Sequence, residues 1–304
     1  MVENQAGVTA LVTAYVRAYH AVHSEPKIFD DFLAGQLFSA EEHVQFNHNL
    51  TQMLPLIAPE LAAQNPTTEQ AMNYVVEVHN GPITLSRSAY TEACLQQALQ
   101  GGLNQYVILG AGMDTFAFRY GQSEPSVAVF EVDHPATQAL KRRRVTDAGW
   151  VMPQNLHFIP VDFANQSLSE ALHVSAYRPD QAAFFSWLGV SYYLSPAVVS
   201  ATLREIAALA APGSELVFDY LDAEAFMPDR VDKKVQFMQW IASQVGEPMK
   251  AGFEPDALAA LLDASGFNLR EDLSPAEIES RYFSGRQDAY HAFAHVHFAR
   301  AVVR

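Results

Sequence analysis

The sequence predicts an α/β protein: an open, doubly wound, Rossmann-like sheet preceded by a cap of helices. Three observations predict it. From Gln105 onward, short and nearly continuous apolar runs alternate with segments of helical spacing, as in parallel strands covered on both faces. The first run, Tyr106-Val-Ile-Leu109, stops abruptly in Gly110-Ala111-Gly112. The chain ahead of it carries helical periodicity and no strand pattern.

Val8, Leu11, Val12, Tyr15, Val16, Tyr19 and Val22 form one apolar stripe at helical spacing. Ser39 followed by Glu42 is a capping box that opens a second helix. Pro66-Thr67-Thr68 starts a third, and Asn80-Gly81-Pro82 stops it. A fourth runs from about Ile83 to Leu99 and ends at Gly101-Gly102. Residues 1–102 are thus the helical cap and 103–304 the α/β domain. Strands are expected at 105–110, 127–133, 156–162, 182–188 and 215–221. Helices are expected at 135–148, with Pro135 in the first turn, and at 196–210, with Ser195 as N-cap and Pro196 at N1. The acidic, aromatic stretch around 222–255 reads as a lid over the strand ends, and a short helix at 255–264 stops at Gly266. Segments 267–271 and 295–303 pair as a hairpin that completes the sheet.

A net charge of −15 over 304 residues argues against nucleic acid as a partner, because phosphates would be repelled. The one basic run, Lys141-Arg142-Arg143-Arg144, reads as a solvated helix face. Cys94 is the only cysteine, so no intrachain disulfide forms, which fits a reducing, cytoplasmic setting. Residues 1–25, broken by Glu3 and Arg17, are not expected to be a secretion signal. No apolar run approaches the ~20 residues of a membrane span.

Glycine has no Cβ and tolerates positive φ, so a ligand can lie against the backbone of Gly110-Ala111-Gly112. About twenty residues later a strand ends in Glu131-Val132-Asp133, where a carboxylate can hold ribose hydroxyls. The pair points to a nucleoside-containing cofactor, with a plain strand-turn-helix as the alternative. The dinucleotide fingerprint needs a third glycine for helix packing beside a pyrophosphate, and Thr115 stands there. S-adenosylmethionine has no pyrophosphate and needs no such glycine. A nicotinamide-dependent oxidoreductase is disfavoured for the same reason.

Motifs along nearly the whole chain carry a resemblance. They are Thr9-Ala-Leu11, Arg17-Ala-Tyr-His20, Lys27-Ile-Phe-Asp-Asp-Phe-Leu-Ala34, Ser86-Arg87, the glycine turn through Met113-Asp114-Thr115, and Phe130-Glu-Val-Asp-His-Pro135 with the basic run. Val161-Asp162-Phe163, Trp187-Leu188-Gly189-Val190 with Tyr193-Leu194, and Ala211-Pro-Gly-Ser214 continue the series. In order and spacing the chain resembles the leucine carboxyl methyltransferase superfamily of class I S-adenosylmethionine-dependent enzymes. It looks closest to the tetracenomycin-type polyketide O-methyltransferase branch. The resemblance implies a seven-stranded sheet beneath a helical cap. It implies that Arg87 grips the methionine carboxylate, that Gly110, Ala111 and Gly112 form the turn under the cofactor, that Asp133 holds the ribose, and that Asp162 and Phe163 face the adenine. At one cofactor-side position the chain departs: Leu188 stands where protein carboxyl methyltransferases of the family carry Glu. This tilts the reading towards a small-molecule acceptor.

Each candidate has a plainer alternative. Arginine suits a bidentate grip on a carboxylate, but Arg87 also reads as a surface arginine. Glu131 lies two residues before Asp133, on the same side of the strand, and is expected to share the ribose. Asp133 also reads as a helix cap or surface acid, and Asp162 as a cap. Tyr193 lines the acceptor pocket or packs in the core. His20 or His79 would serve as base for a phenolic acceptor, whose pKa lies near 10, whereas a carboxylate acceptor needs none. His295 and His297 share a strand face, but no ligand set completes a metal site, so packing is expected. Phe218, Tyr220, Phe226, Phe237 and Trp240 form a pocket for a flat acceptor, or ordinary core. The expected activity is O-methylation of a small-molecule carboxylate or phenol. The rivals are a protein C-terminal carboxyl methyltransferase and a cofactor-binding protein without turnover.

Overall fold

Capping and apolar stripes build the cap. The computed structural model describes residues 7–120, 127–162 and 166–304. Helix α1 (Val8–His23) turns Ala14, Tyr15, Val16 and Tyr19 inward. Helix α2 (Ala40–Thr51) opens on the expected capping box, with the Ser39 N–H donating to Glu42 Oε2 at 2.9 Å. Two four-residue helices follow, α3 (Leu54–Ile57) and α4 (Pro59–Ala62). They are too short for periodicity to reveal. Helix α5 (Thr68–Val78) has a second capping box, Thr67 with Gln70. Helix α6 (Gly81–Gln100) begins earlier than expected, because Pro82 sits in the first turn, where its missing N–H leaves no bond unmade.

Strand and helix then alternate: β1 (Gln105–Leu109), α7 (Phe116–Tyr120), β2 (Ala128–Asp133), α8 (Pro135–Asp147), β3 (Leu156–Pro160), α9 (Leu168–His173), β4 (Phe184–Trp187), α10 (Pro196–Leu209) and β5 (Glu215–Leu221). Residues 222–255 hold α11 (Lys233–Gln244), and α12 (Pro255–Ala264), β6 (Phe267–Leu273), α13 (Pro275–Ile278) and β7 (Val296–Val303) complete the described chain. The sheet has seven strands in the order β3-β2-β1-β4-β5-β7-β6. Strands β1 to β5 are parallel, and β7 runs antiparallel to both β5 and β6. The last two strands pair as expected, but α13 and a π-helical turn, Glu279–Phe283, lie between them, so they are not a tight hairpin.

Alternation assigns each face. Tyr106 and Ile108 of β1 join Phe184 and Val217 in one core with Tyr15, Met72, Leu85 and Leu95 of the cap. Val107 and Leu109 join Phe130, Phe185 and Trp187 in a second core under Val199, Leu203 and Ile206 of α10. The cap therefore covers one face of the sheet, which explains the two-sided apolar runs.

One buried clasp locks the cap to the sheet. Asp31, 1% exposed, accepts Arg17 Nε at 2.8 Å and the Thr115 hydroxyl at 2.6 Å, and Arg119 Nε lies 3.5 Å away. Arg17 Nη2 also donates to the Met113 carbonyl at 2.8 Å. Thr115, in place of a third glycine, thus binds the cap. Burial penalises the Asp31 charge, but Arg17, Arg119 and Thr115 outweigh it and hold the carboxyl below its ordinary value. Asp31→Ala removes the carboxylate from two buried arginines and should cost about 3–5 kcal/mol in urea unfolding at neutral pH. The contribution is present above the unfolded pKa, about 4, and is lost as pH falls through the lower folded value. The gap between wild type and variant should therefore narrow in acid.

Candidate cofactor and acceptor site

The strand order reverses between β1 and β4, and open α/β sheets bind ligands in the crevice beyond the strand ends at such a point. The glycine turn lies there. Gly110 and Gly112 have φ of 72° and 50°, a region that costs other residues about 1–2 kcal/mol. A Cβ on Gly110 would stand 2.9 Å from Val190 Cγ2, and one on Gly112 would stand 3.0 Å from Ala10 Cβ. The Gly110 and Ala111 N–H groups donate to the Val132 carbonyl at 2.8 and 3.2 Å, and the Gly112 N–H donates to Asp133 Oδ2 at 2.5 Å. Asp133 Oδ1 accepts its neighbour His134 N–H at 2.6 Å. Burial raises the carboxyl pKa against these two donors. Helix α8 is capped by His134, whose Nδ1 accepts the Ala136 N–H at 3.2 Å, so Asp133 is not its cap. A carboxylate has about four lone-pair sites, so half-buried Asp133 keeps capacity for hydroxyl donors. At the neighbouring strand end the Val161 N–H donates to the Asp133 carbonyl at 2.9 Å, which sets half-buried Asp162 beside it. Phe163 lies outside the described residues.

Glu131 does not reach the crevice. It is buried under α8, where Lys141 Nζ donates to Oε2 at 2.5 Å and Oε1 has no hydrogen-bond partner among the described residues. Burial pushes its carboxyl up to about 7 despite Lys141. The basic run is a solvated face only at Arg142 and Arg143, which are exposed. Lys141 is spent on Glu131, the Arg142 guanidinium carbon lies 4.0 Å from the Phe158 ring centroid, and Arg144 donates to the Leu37 carbonyl at 2.7 Å and Glu42 Oε2 at 2.9 Å. Lys141 and Arg144 pin α8 to the sheet and the cap.

On the other side of the turn, α6 carries Arg87 over the ends of β4 and β5. Its Nη1 donates to Asp219 Oδ2 at 2.9 Å and to the Tyr192 hydroxyl at 3.1 Å. Asp219 Oδ1 accepts the Gly189 N–H at 2.6 Å, and its carbonyl accepts the Ser191 hydroxyl at 2.6 Å. Gly189 has φ of 71°, and a Cβ there would stand 2.6 Å from Arg87 Nη2. Arg87 is therefore no surface arginine; its side chain is 11% exposed. Leu188 packs against the cap-side core. Asp219 is not among the residues expected from the sequence. Its signal was a lone acid inside Leu216-Val-Phe-Asp-Tyr-Leu221, since a buried charge requires a partner.

Tyr193 ends the 3-10 turn Ser191–Tyr193 after β4, half-buried, its ring 4.8 Å from that of Tyr192. Burial pushes its hydroxyl up to about 12, so it stays protonated at neutral pH. His20 is 0% exposed. Its Nε2 accepts the Ile28 N–H at 2.8 Å, so Nδ1 carries the proton and donates to the Tyr290 hydroxyl at 3.0 Å. Both nitrogens are engaged and none is offered to an acceptor; His20 holds α1 to its surroundings. His79 is buried with its ring 5.6 Å from Phe237, and His295 Nδ1 lies 2.8 Å from Asp222 Oδ1. Phe218 and Tyr220 are core, whereas Phe237 stacks at 5.6 Å on Trp240, which is 47% exposed.

In sheet order the strand ends thus present Asp162, Asp133, the glycine turn, and then Gly189 with Arg87. At ~4.8 Å per strand, Asp133 and Arg87 stand roughly 10–15 Å apart. An acid at one end, bare backbone between, and a buried cation at the other fit a nucleoside bearing an amino-acid tail. A sequence profile of the leucine carboxyl methyltransferase family matches residues 10–207, which include all of these positions. The chain belongs to that family. It is an S-adenosylmethionine-dependent methyltransferase. Over 99% of both chains it is 38% identical to YktD of Bacillus subtilis, named as a candidate S-adenosyl-L-methionine-dependent methyltransferase. A protein of Parafrankia sp. named in the same way is 29% identical over 75% of this chain and 66% of its own. The fold is shared with a DUF574-family protein of Streptomyces avermitilis, at a TM-score of 0.59 and 11% identity over 100% of both chains. It is also shared with a candidate methyltransferase of Thermobifida fusca, at a TM-score of 0.52 and 17% identity over 79% of this chain and 89% of that one.

Two substitutions separate the arginine side of the crevice from the buried pair under α8. Gly189→Ala drives a methyl group into the Arg87 guanidinium. Displacing such a charge-assisted contact should weaken S-adenosylmethionine binding about ten- to a hundredfold in calorimetry. Glu131→Gln should leave that affinity within about threefold. It should instead cost about 3–5 kcal/mol of stability, because buried Lys141 loses its counter-charge.

Proposed function

We propose that this methyltransferase acts on an oxygen of a small-molecule acceptor, and that the oxygen belongs to a carboxylate. When bound, S-adenosylmethionine supplies a methyl group on a positively charged sulfur. In this reading Arg87 holds the methionine carboxylate, Asp133 accepts from the ribose hydroxyls, and Asp162 faces the adenine. The turn Gly110-Ala111-Gly112 is the floor, and Leu188 adds an apolar wall. Helix α1 and the lid meet above that floor, with the Thr9 hydroxyl donating to Glu247 Oε2 at 2.7 Å and Ala10 against Gly112. Enclosure aligns the reactants and keeps out water as charge is neutralised.

The state of the candidate bases carries the choice of acceptor. Tyr193 is protonated at neutral pH, both nitrogens of His20 are engaged, and burial lowers His79 to about 4. A carboxylate is already ionised at pH 7 and needs none of them. Leu188, where protein-modifying members carry Glu, supports a small molecule over a protein C-terminus. The string Trp187-Leu-Gly-Val190 supports the tetracenomycin-type branch and so a polyketide-like acid. The single, buried Cys94 supports a cytoplasmic setting.

The test is transfer of labelled methyl to panels of aromatic acids, phenols and C-terminal peptides. We expect label in a base-labile ester that releases methanol, at a rate nearly flat from about pH 6 to 9. A base-stable ether with a rate rising with pH would contradict the carboxylate. Methylated peptides would contradict the small molecule.

A further inference from the structure

We propose that Asp219 makes the site prefer the cationic methyl donor over its neutral demethylated product, by cancelling the charge of Arg87. The inference rests on the reading that Arg87 holds the amino-acid end of the cofactor. S-adenosylmethionine carries a positive sulfur beside that end; S-adenosylhomocysteine does not. An unbalanced guanidinium in the crevice would repel the first and leave the second almost unaffected.

The geometry supplies the balance. Arg87 and Asp219 are 2.9 Å apart, with side chains 11% and 0% exposed, so solvent screens neither well. Among the described residues Asp219 is the one acid paired with Arg87. Alternation along β5 sets Asp219 with Val217 and Leu221 on the cap-side face, towards α6. Both carboxylate oxygens are taken, Oδ2 by Arg87 and Oδ1 by the Gly189 N–H at 2.6 Å. Asp219 therefore acts through Arg87 and through its field, as a positioning residue. Its charge is held in place from three directions, by α6, by the turn after β4, and by Ser191 on its carbonyl. A unit charge several ångströms away at an effective dielectric of about 20 changes an affinity roughly tenfold or more.

The experiment is calorimetric titration of the full chain with S-adenosylmethionine and, separately, S-adenosylhomocysteine. The proteins are wild type, Asp219→Asn, Arg87→Gln and the double variant, each checked for folding by circular dichroism. Asp219→Asn should weaken the methyl donor about tenfold more than the product. Arg87→Gln should weaken both, because the carboxylate grip is lost, yet shift their ratio towards the methyl donor. The double variant should return the ratio to within about threefold of wild type. A merely structural Asp219 would lower both affinities by one common factor, and that outcome overturns the inference. If Asp219→Asn does not fold, Arg87→Gln decides, and an unchanged ratio there overturns it equally. Loss of affinity in Arg87→Gln with no change of ratio in any variant defeats this inference alone. Unaltered binding of both ligands in Arg87→Gln defeats the reading of Arg87 as well.

Discussion

The reversal of strand order between β1 and β4 is the constraint on which the rest of the structure depends. It separates the two connections that leave these strand ends and opens a crevice between them. Every feature of the site answers to that crevice. Its floor must be glycine, because the chain turns with positive φ and α1 passes 3.0 Å from where a side chain would begin. One flank is the end of β2, tied to the floor through Asp133. The other is the end of β4, tied to β5 and α6 through Asp219. The roof is the cap, held by Asp31.

Three carboxylates do this work from inside the protein. Asp31, Glu131 and Asp219 are almost wholly buried, and each faces a cation. Such pairs add little net stability, because desolvating the charges offsets most of their attraction. Their effect is on position, since an ion pair in a low-dielectric interior tolerates few alternative arrangements. Asp31 fixes where the cap sits over the turn, Glu131 fixes α8 against β2, and Asp219 fixes where the guanidinium points. Asp133 differs. It is held by backbone N–H groups at the crevice edge, and so keeps lone pairs free for a ligand.

The order and type of the strands were legible because a buried parallel strand needs an unbroken apolar run, and few other structures do. The glycine turn and Asp133 were legible because a strand that ends in backbone contacts needs particular residues. The short helices α3, α4 and α9 were not, since one turn carries no period. Glu131 shows where alternation misleads. It does share a face with Asp133, but that face is roofed by α8, and only the last residue of the strand clears the helix. Lys141 and Arg144 misled likewise, because charge suggests solvent and their partners lie about ten and a hundred residues away. His20 was read for its chemistry, and burial, set by the packing of α1, took that chemistry away. Asp219 is the reverse case, an acid unremarked in an apolar strand that proves to hold the arginine.

In the proposed reading one cofactor lies along the strand ends from β2 to β4, its ribose at Asp133 and its amino-acid carboxylate at Arg87. A crystal structure of the protein with S-adenosylhomocysteine tests this most directly. The ribose hydroxyls should lie within hydrogen-bond distance of Asp133, the nucleoside over Gly110–Gly112, and the carboxylate on the Arg87 guanidinium while Asp219 still holds it. A ligand whose carboxylate lies away from Arg87, or whose ribose turns from Asp133, would contradict it.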